Sequence, residues 1–140
     1  MLENGLDIDF EHIIQARSSE ADGYRSMEQI LQMQNRPTGI YCSGDIIAVG
    51  MLKALNKYKN KYYNPSIISS DNISEAAYTN PMLTTVSLPK NELAKFAVML
   101  LLDRINGGHK ETVKLEINST LIVRGSCSSA YAASSVEYYI

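Results

Sequence analysis

Apolar residues recur along this chain in two alternating rhythms, short β-like runs and longer stretches with apolar positions three and four apart. That alternation is the pattern of an α/β domain built on a mostly parallel sheet. The run "HIIQA", His12 to Ala16, predicts a first strand. "DGYRSMEQILQMQ", from about Asp22 to Gln34, predicts a helix with Met27, Ile30 and Leu31 at helical spacing, stopped by Asn35 and Pro37. "GIYCS", Gly39 to Ser43, reads as the second strand. "GDIIAVGMLKALNKYKN" follows as the second helix, with Ile47, Met51, Ala54, Leu55 and Tyr58 as an apolar stripe and lysines opposite. Gly50 inside that helix costs about 1 kcal/mol against alanine, which predicts a close helix contact there.

"SIIS" is the third strand, "SEAAY" a short helical turn and "LTTVSL" a fourth extended run with two β-branched threonines. The longest helix is expected from about Asn91 to Asn106, with Pro89 near its start and Gly107-Gly108 closing it. Its apolar residues wrap more than half the circumference, so it needs burial on more than one side. "TVKLEI" and "TLIVRGSC" predict two more strands, and "SSAYAASSVEYYI" is a small, polar tail without a heptad. The expected architecture is a three-layer α/β lobe with a mostly parallel sheet.

Composition narrows the possibilities. A chain of 140 residues with 45% hydrophobic positions can bury the core of one domain. Net charge is −2 with Lys and Arg scattered, which is unlike the basic footprint of a nucleic-acid surface. Cys42 and Cys127 have no neighbouring Cys or His at ligand spacing, so they read as reduced thiols, and no metal or cofactor is expected. The acidic opening "MLENGLDID" lacks a secretory pattern, and "FAVMLLL" is far short of a membrane span. A cytoplasmic setting without membrane contact follows as the expectation.

Candidate chemistry sits at the strand ends, where ligands gather in open α/β sheets. Ser18 follows the first strand, Gly44 and Asp45 the second, and Asp71 the third. Asp45 also stands at a helix start, where a carboxylate can cap backbone N–H groups and favour the dipole, a structural role. Asp71 with Asn72 fits either an Asx-turn or one wall of a ligand site. An Asp45/Asp71 acid/base pair is geometrically possible, but no nucleophile elbow, metal-ligand cluster or phosphate loop accompanies it. His12 and His109 read as surface residues, Tyr24 and Tyr58 as helix-stripe packing, and Tyr62 and Tyr63 as part of a polar loop. The chain is therefore not expected to be an enzyme.

Five motifs then occur in order: "GYRSMEQIL", "RPTGIYCSGDIIAVGMLKAL", "ISSDNISEAAYTNPMLTTV", "LPKNELAKFAVMLLLDRINGG" and "LIVRGSC". Together they resemble the effector-binding region of the LacI/GalR family of bacterial transcriptional regulators, over nearly all of Ile13 to Cys127. "SDNISEAAYTNPMLTTV", "LLLDRINGGHK" and "LIVRGSC" are most similar to galactose-operon repressors of Gram-positive bacteria. The resemblance implies a periplasmic-binding-protein-like (type I) lobe, with a sugar, galactose or a galactoside, as effector. A helix-turn-helix headpiece absent from this sequence would hold operator DNA. It further implies that residues 1–127 are a partial effector-binding and dimerisation region, that 89–117 belong to the other lobe of an intact repressor, and that 128–140 form a flexible tail.

By the same resemblance Asp71 is the acceptor for effector hydroxyls. Gly44 falls where several members carry a polar contact, and Ser18 and Lys90 fall where relatives carry aromatic rings. Asp45 matches a helix-start acid common in the family. A homodimer is implied, through the second helix around Val49 and Lys53 and the segment Glu75, Tyr78 and Thr79. The rival from a different class is a stand-alone cytoplasmic sugar-binding module without DNA function. A small hydrolytic enzyme using Asp45 and Asp71 is the remaining alternative.

Overall fold

A computed structural model describes residues 9–58 and 63–129. Helix α1 runs Glu20–Gln32, helix α2 Asp45–Tyr58 and helix α3 Lys90–Ile105. The strands are β1 Gly39–Tyr41, β2 Ser66–Ser70, β3 Thr84–Ser87 and β4 Thr120–Ile122, with single helical turns at Phe10–His12 and Ser74–Ala77. They form one sheet in the order β1-β2-β3-β4, parallel at the first two junctions and antiparallel at the last. No helix among the described residues is long and apolar enough to cross a membrane.

Helix α1 begins two residues earlier than the apolar spacing suggests because Ser19 caps it. Its hydroxyl accepts the Asp22 N–H at 3.1 Å and donates to the Asp22 carboxylate at 2.7 Å. Met27 and Ile30 of α1 meet Ile47, Met51, Leu52 and Leu55 of α2, and these rest on Ile67 of β2 and on Leu83. The two helices cross at glycines. A Cβ on Gly50 would lie 2.0 Å from the Glu20 carbonyl oxygen, and one on Gly23 would lie 2.0 Å from that of Ile47. The close contact expected at Gly50 is therefore real, and the loss of helix propensity is offset by backbone-to-backbone packing.

Two predicted strands do not form. Residues 13–18 lack a ladder partner, and β1 closes the sheet on that side among the described residues. Yet the period-two alternation survives there, since Ile14 and Ala16 pack against the core while Ile13 and Gln15 face out. An extended run becomes a strand only with a neighbour to exchange N–H and C=O bonds. "TVKLEI" likewise has no neighbouring strand and is exposed except for a half-buried Ile117.

β4 is also shorter than predicted, because the chain after Ile122 turns to brace the sheet. Ser126 donates through its hydroxyl to Ile67 O at 2.6 Å and accepts from the Thr84 N–H at 2.8 Å. Tyr63, expected in a polar loop, is buried. Its hydroxyl donates to Pro37 O at 2.7 Å and the Arg36 guanidinium lies 5.5 Å from its ring centre. Tyr62 and residues 130–140, which include most of the predicted tail, lie outside the described residues.

Helix α3 starts at Lys90 and ends, as its glycines suggest, before Gly107, whose φ is +83°. It buries none of its residues. Helix α2 packs on β2, and α1 packs on α2.

Candidate functional site

The parallel strands β1 and β2 deliver their carboxyl ends side by side, Cys42 N–H bonding Ile68 O at 2.8 Å. Beyond β2 the backbone enters the left-handed region twice in succession, at Asp71 (φ 118°) and Asn72 (φ 48°). Asp and Asn are the residues that tolerate this region best after glycine. The turn is held from every side. Asp71 N–H donates to Val86 O at 3.0 Å, Asn72 N–H to Thr85 Oγ1 at 3.3 Å, and Ile73 N–H to Asp45 Oδ2 at 2.9 Å.

Its consequence is a half-buried Asp71 carboxylate that makes no hydrogen bond or ion pair among the described residues. Gly44 stands directly beside it, since a Cβ there would lie 3.1 Å from Asp71 Oδ2. These two predicted site residues are thus brought together. Ser18 is exposed on the segment leading into α1 and Lys90 is exposed at the first position of α3. Neither is joined to Asp71 by a hydrogen bond or ion pair among the described residues.

Asp45 behaves differently. It is fully buried, its Oδ1 accepting the Ser69 hydroxyl at 2.5 Å and the Thr85 hydroxyl at 2.6 Å, while Oδ2 takes the Ile73 N–H. A carboxylate so saturated ties α2 to β2, β3 and the Asp71 turn. It is buried away from any ligand, and no hydrogen bond joins it to Asp71 among the described residues, so the two are not arranged as an acid/base dyad. Its effector-binding assignment gives way to the structural role.

The residues that the family resemblance assigns to a dimer surface lie on α2 and on the segment around the Ser74–Ala77 turn. Asn56 of α2 donates to Asn80 O at 3.1 Å and so joins the helix to the segment after Ala77. Lys53, Glu75 and Tyr78 are exposed, Tyr78 to 87%, and Thr79 is half-buried. Lys53 bonds Glu20 at 2.7 Å. Val49 is buried on α2 and presents little surface of its own.

Sequence reasoning passed over three residues near the site. Tyr41 ends β1 with its ring exposed and its hydroxyl 3.3 Å from Ser70 Oγ, one residue before Asp71. Arg124, inside "LIVRGSC", bonds Asn72 Oδ1 at 2.8 Å, and Ser87 Oγ accepts from Asn72 Nδ2 at 3.2 Å. Only the alignment of Tyr41 with a strand end could have flagged it; Arg124 is distant in sequence from everything it holds.

The remaining titratable groups serve packing. Burial pushes the Cys42 thiol up to about 12, and its Sγ lies 3.4 Å from Met51 Sδ. The Tyr58 hydroxyl donates to Glu28 at 2.5 Å, which raises its phenol to about 12. No group of three or more His, Cys, Asp and Glu that could hold a metal ion occurs among the described residues.

Comparison with known proteins agrees with this geometry. Residues 1–127 match the family described as periplasmic binding protein-like domain. The chain is 38% identical over 127 residues to the HTH-type transcriptional repressor PurR of Erwinia tasmaniensis, covering 90% of this chain and 37% of that protein. It superimposes on a LacI-type transcription regulator of Bifidobacterium animalis subsp. lactis with a TM-score of 0.80 at 26% identity, over 91% of this chain and 46% of that one. A LacI family transcriptional regulator of Enterococcus faecalis V583, solved with bound ribose, matches with a TM-score of 0.69 at 32% identity over 81% of this chain and 42% of that one. The chain thus spans less than half the length of these relatives. With a mostly parallel sheet and the helices packed on it, this chain belongs to the periplasmic binding protein-like domain family.

Proposed function

We propose that this chain is the sugar-sensing, dimer-forming part of a cytoplasmic LacI/GalR-type repressor, with galactose or a galactoside as effector. The observation that carries the reading is the Asp71 carboxylate, half-buried at a strand end and without a donor among the described residues. Such a group accepts two hydroxyl donors at charge-assisted strength, which suits vicinal hydroxyls of a sugar. Gly44 leaves room beside it, the exposed Tyr41 ring stands at the end of the neighbouring strand, and by the family resemblance Ser18 and Lys90 complete the rim. The ribose held by the Enterococcus faecalis relative supports the sugar class. Residues 89–117 belong to the second lobe, which accords with the absence of any buried residue in α3.

Dimers form through α2 near Val49 and Lys53 and through Glu75, Tyr78 and Thr79, the same patch on both subunits. Operator DNA is held by a helix-turn-helix headpiece elsewhere in the full-length protein. Effector binding favours one arrangement of lobes over the other, and DNA affinity changes by that differential affinity, without chemistry at the site.

The test is a titration of the full-length protein bound to DNA from its own upstream region, with galactose and ribose in turn. Asp71→Ala should weaken the response to the effective sugar by at least about tenfold, the scale of one lost charged hydrogen-bond pair, while leaving DNA binding in place. DNA binding that neither sugar alters would end the sugar-sensing reading. Sugar binding with no DNA binding would favour the stand-alone module.

A further inference from the structure

Arg124 links the entry of β3 to the turn that follows β2. Its backbone N–H donates to Thr84 Oγ1 at 2.9 Å, one guanidinium nitrogen to Leu83 O at 2.7 Å, and the other to Asn72 Oδ1 at 2.8 Å. A planar guanidinium fits this task because its donors diverge in a fixed fork, whereas a lysine ammonium is a single point. Asn72 is the second of the two left-handed residues, and such residues cost about 1 kcal/mol or more each unless the surroundings hold them. Its side chain has no freedom left, with Arg124 on the oxygen and Ser87 Oγ on the nitrogen. Were Asn72 released, it would relax toward negative φ and swing the preceding carboxylate away from Gly44.

We infer that Arg124 is the positioning residue for Asp71, acting through Asn72 to hold the carboxylate toward the effector rim. The inference rests on the reading of Asp71 as the effector's acceptor, but the geometry it predicts can be tested without effector.

Two measurements on the full-length protein separate the possibilities. The first is amide hydrogen exchange without sugar. The amides of Asp71, Asn72 and Ile73 are all bonded, so Arg124→Met should speed their exchange by at least about tenfold, with the helices α1 and α2 unchanged. Unchanged exchange at residues 71–73 overturns the positioning role whatever the effector proves to be. The second is a double-mutant cycle on galactose affinity, with ribose as the substitute probe if galactose does not bind. Arg124→Met should weaken binding by about tenfold in the native background and have no further effect once Asp71 is alanine. Equal losses in both backgrounds would make Arg124 a general structural residue and overturn the inference. Arg124→Lys, which keeps the cation but not the fork, should show the same pattern at smaller size and covers the case in which Arg124→Met does not fold. If Asp71→Ala itself leaves affinity intact, the effector assignment falls while the exchange result still decides the role of Arg124.

Discussion

Residues 19–58 with 63–87, and residues 88–119, are both rich in apolar side chains, yet only the first set supplies the buried core. In the first, Met27, Leu52, Ile67 and Leu83 are essentially inaccessible. In the second, Val98, Leu101, Leu102 and Ile105 are each more than half exposed, and no residue of α3 is buried. Apolar content is thus no measure of core membership. What separates the two regions is whether a complementary face lies within reach: α1 and α2 offer each other glycine-lined grooves, while α3 has no such neighbour among the described residues.

The comparison can be broken most forcefully at the buried carboxylate of the packed region. Asp45→Ala strands the Ser69 and Thr85 hydroxyls and the Ile73 N–H, and should cost about 4 kcal/mol in urea unfolding, the scale for opening a buried charged network. An unchanged midpoint would show that these donors find water instead. Paired truncations probe the contrast directly. Leu52→Ala should cost about 3 kcal/mol, whereas Leu101→Gln in the same 140-residue chain should fall within about 0.5 kcal/mol. Equal losses would mean that the α3 face is covered in solution.

Gly50→Ala sharpens the same contrast from the backbone side. Alanine is the better helix former by about 1 kcal/mol. Its Cβ would nonetheless meet Glu20 O at 2.0 Å, so a net loss of about 2 kcal/mol is expected in thermal unfolding.

The smallest effect lies at the end of α3. The His109 backbone N–H and then its ring hold the Asp103 carboxyl below its ordinary 3.8, with contacts of 2.9 and 2.6 Å. A depressed folded-state value means the contact stabilises the turn above about pH 4 and is lost as pH falls through that lower value. A carboxyl titration by NMR should place the Asp103 midpoint below that of an exposed aspartate, and His109→Ala, which removes the ring but keeps the backbone N–H, should bring it only part of the way back up.

Much of this was legible in the sequence because it is local. Helices α1 and α2 follow from 3.6-residue spacing, Gly50 from its cost inside a helix, and the end of α3 from Gly107, whose positive φ other residues resist. Asp71 could be placed at a strand end, where ligands gather. The failures at "HIIQA" and "TVKLEI" are of one kind. Their residues alternate or favour extension, but a strand is a relation between two segments, and neither has a described partner.

What the sequence by itself determined was the set of local elements, the apolar faces they carry and the acids that stand at their ends. Which acid became structural was decided only in three dimensions: Asp45 met Ser69, Thr85 and the Ile73 N–H and was consumed by them, while Asp71 met no donor among the described residues. The same holds for Arg124, whose bonding partners span Asn72 to Thr84 and are gathered by the sheet and not by proximity along the chain. Periodicity is a property of one segment, whereas a carboxylate's partners depend on which segments the tertiary fold brings within hydrogen-bond reach, about 3 Å.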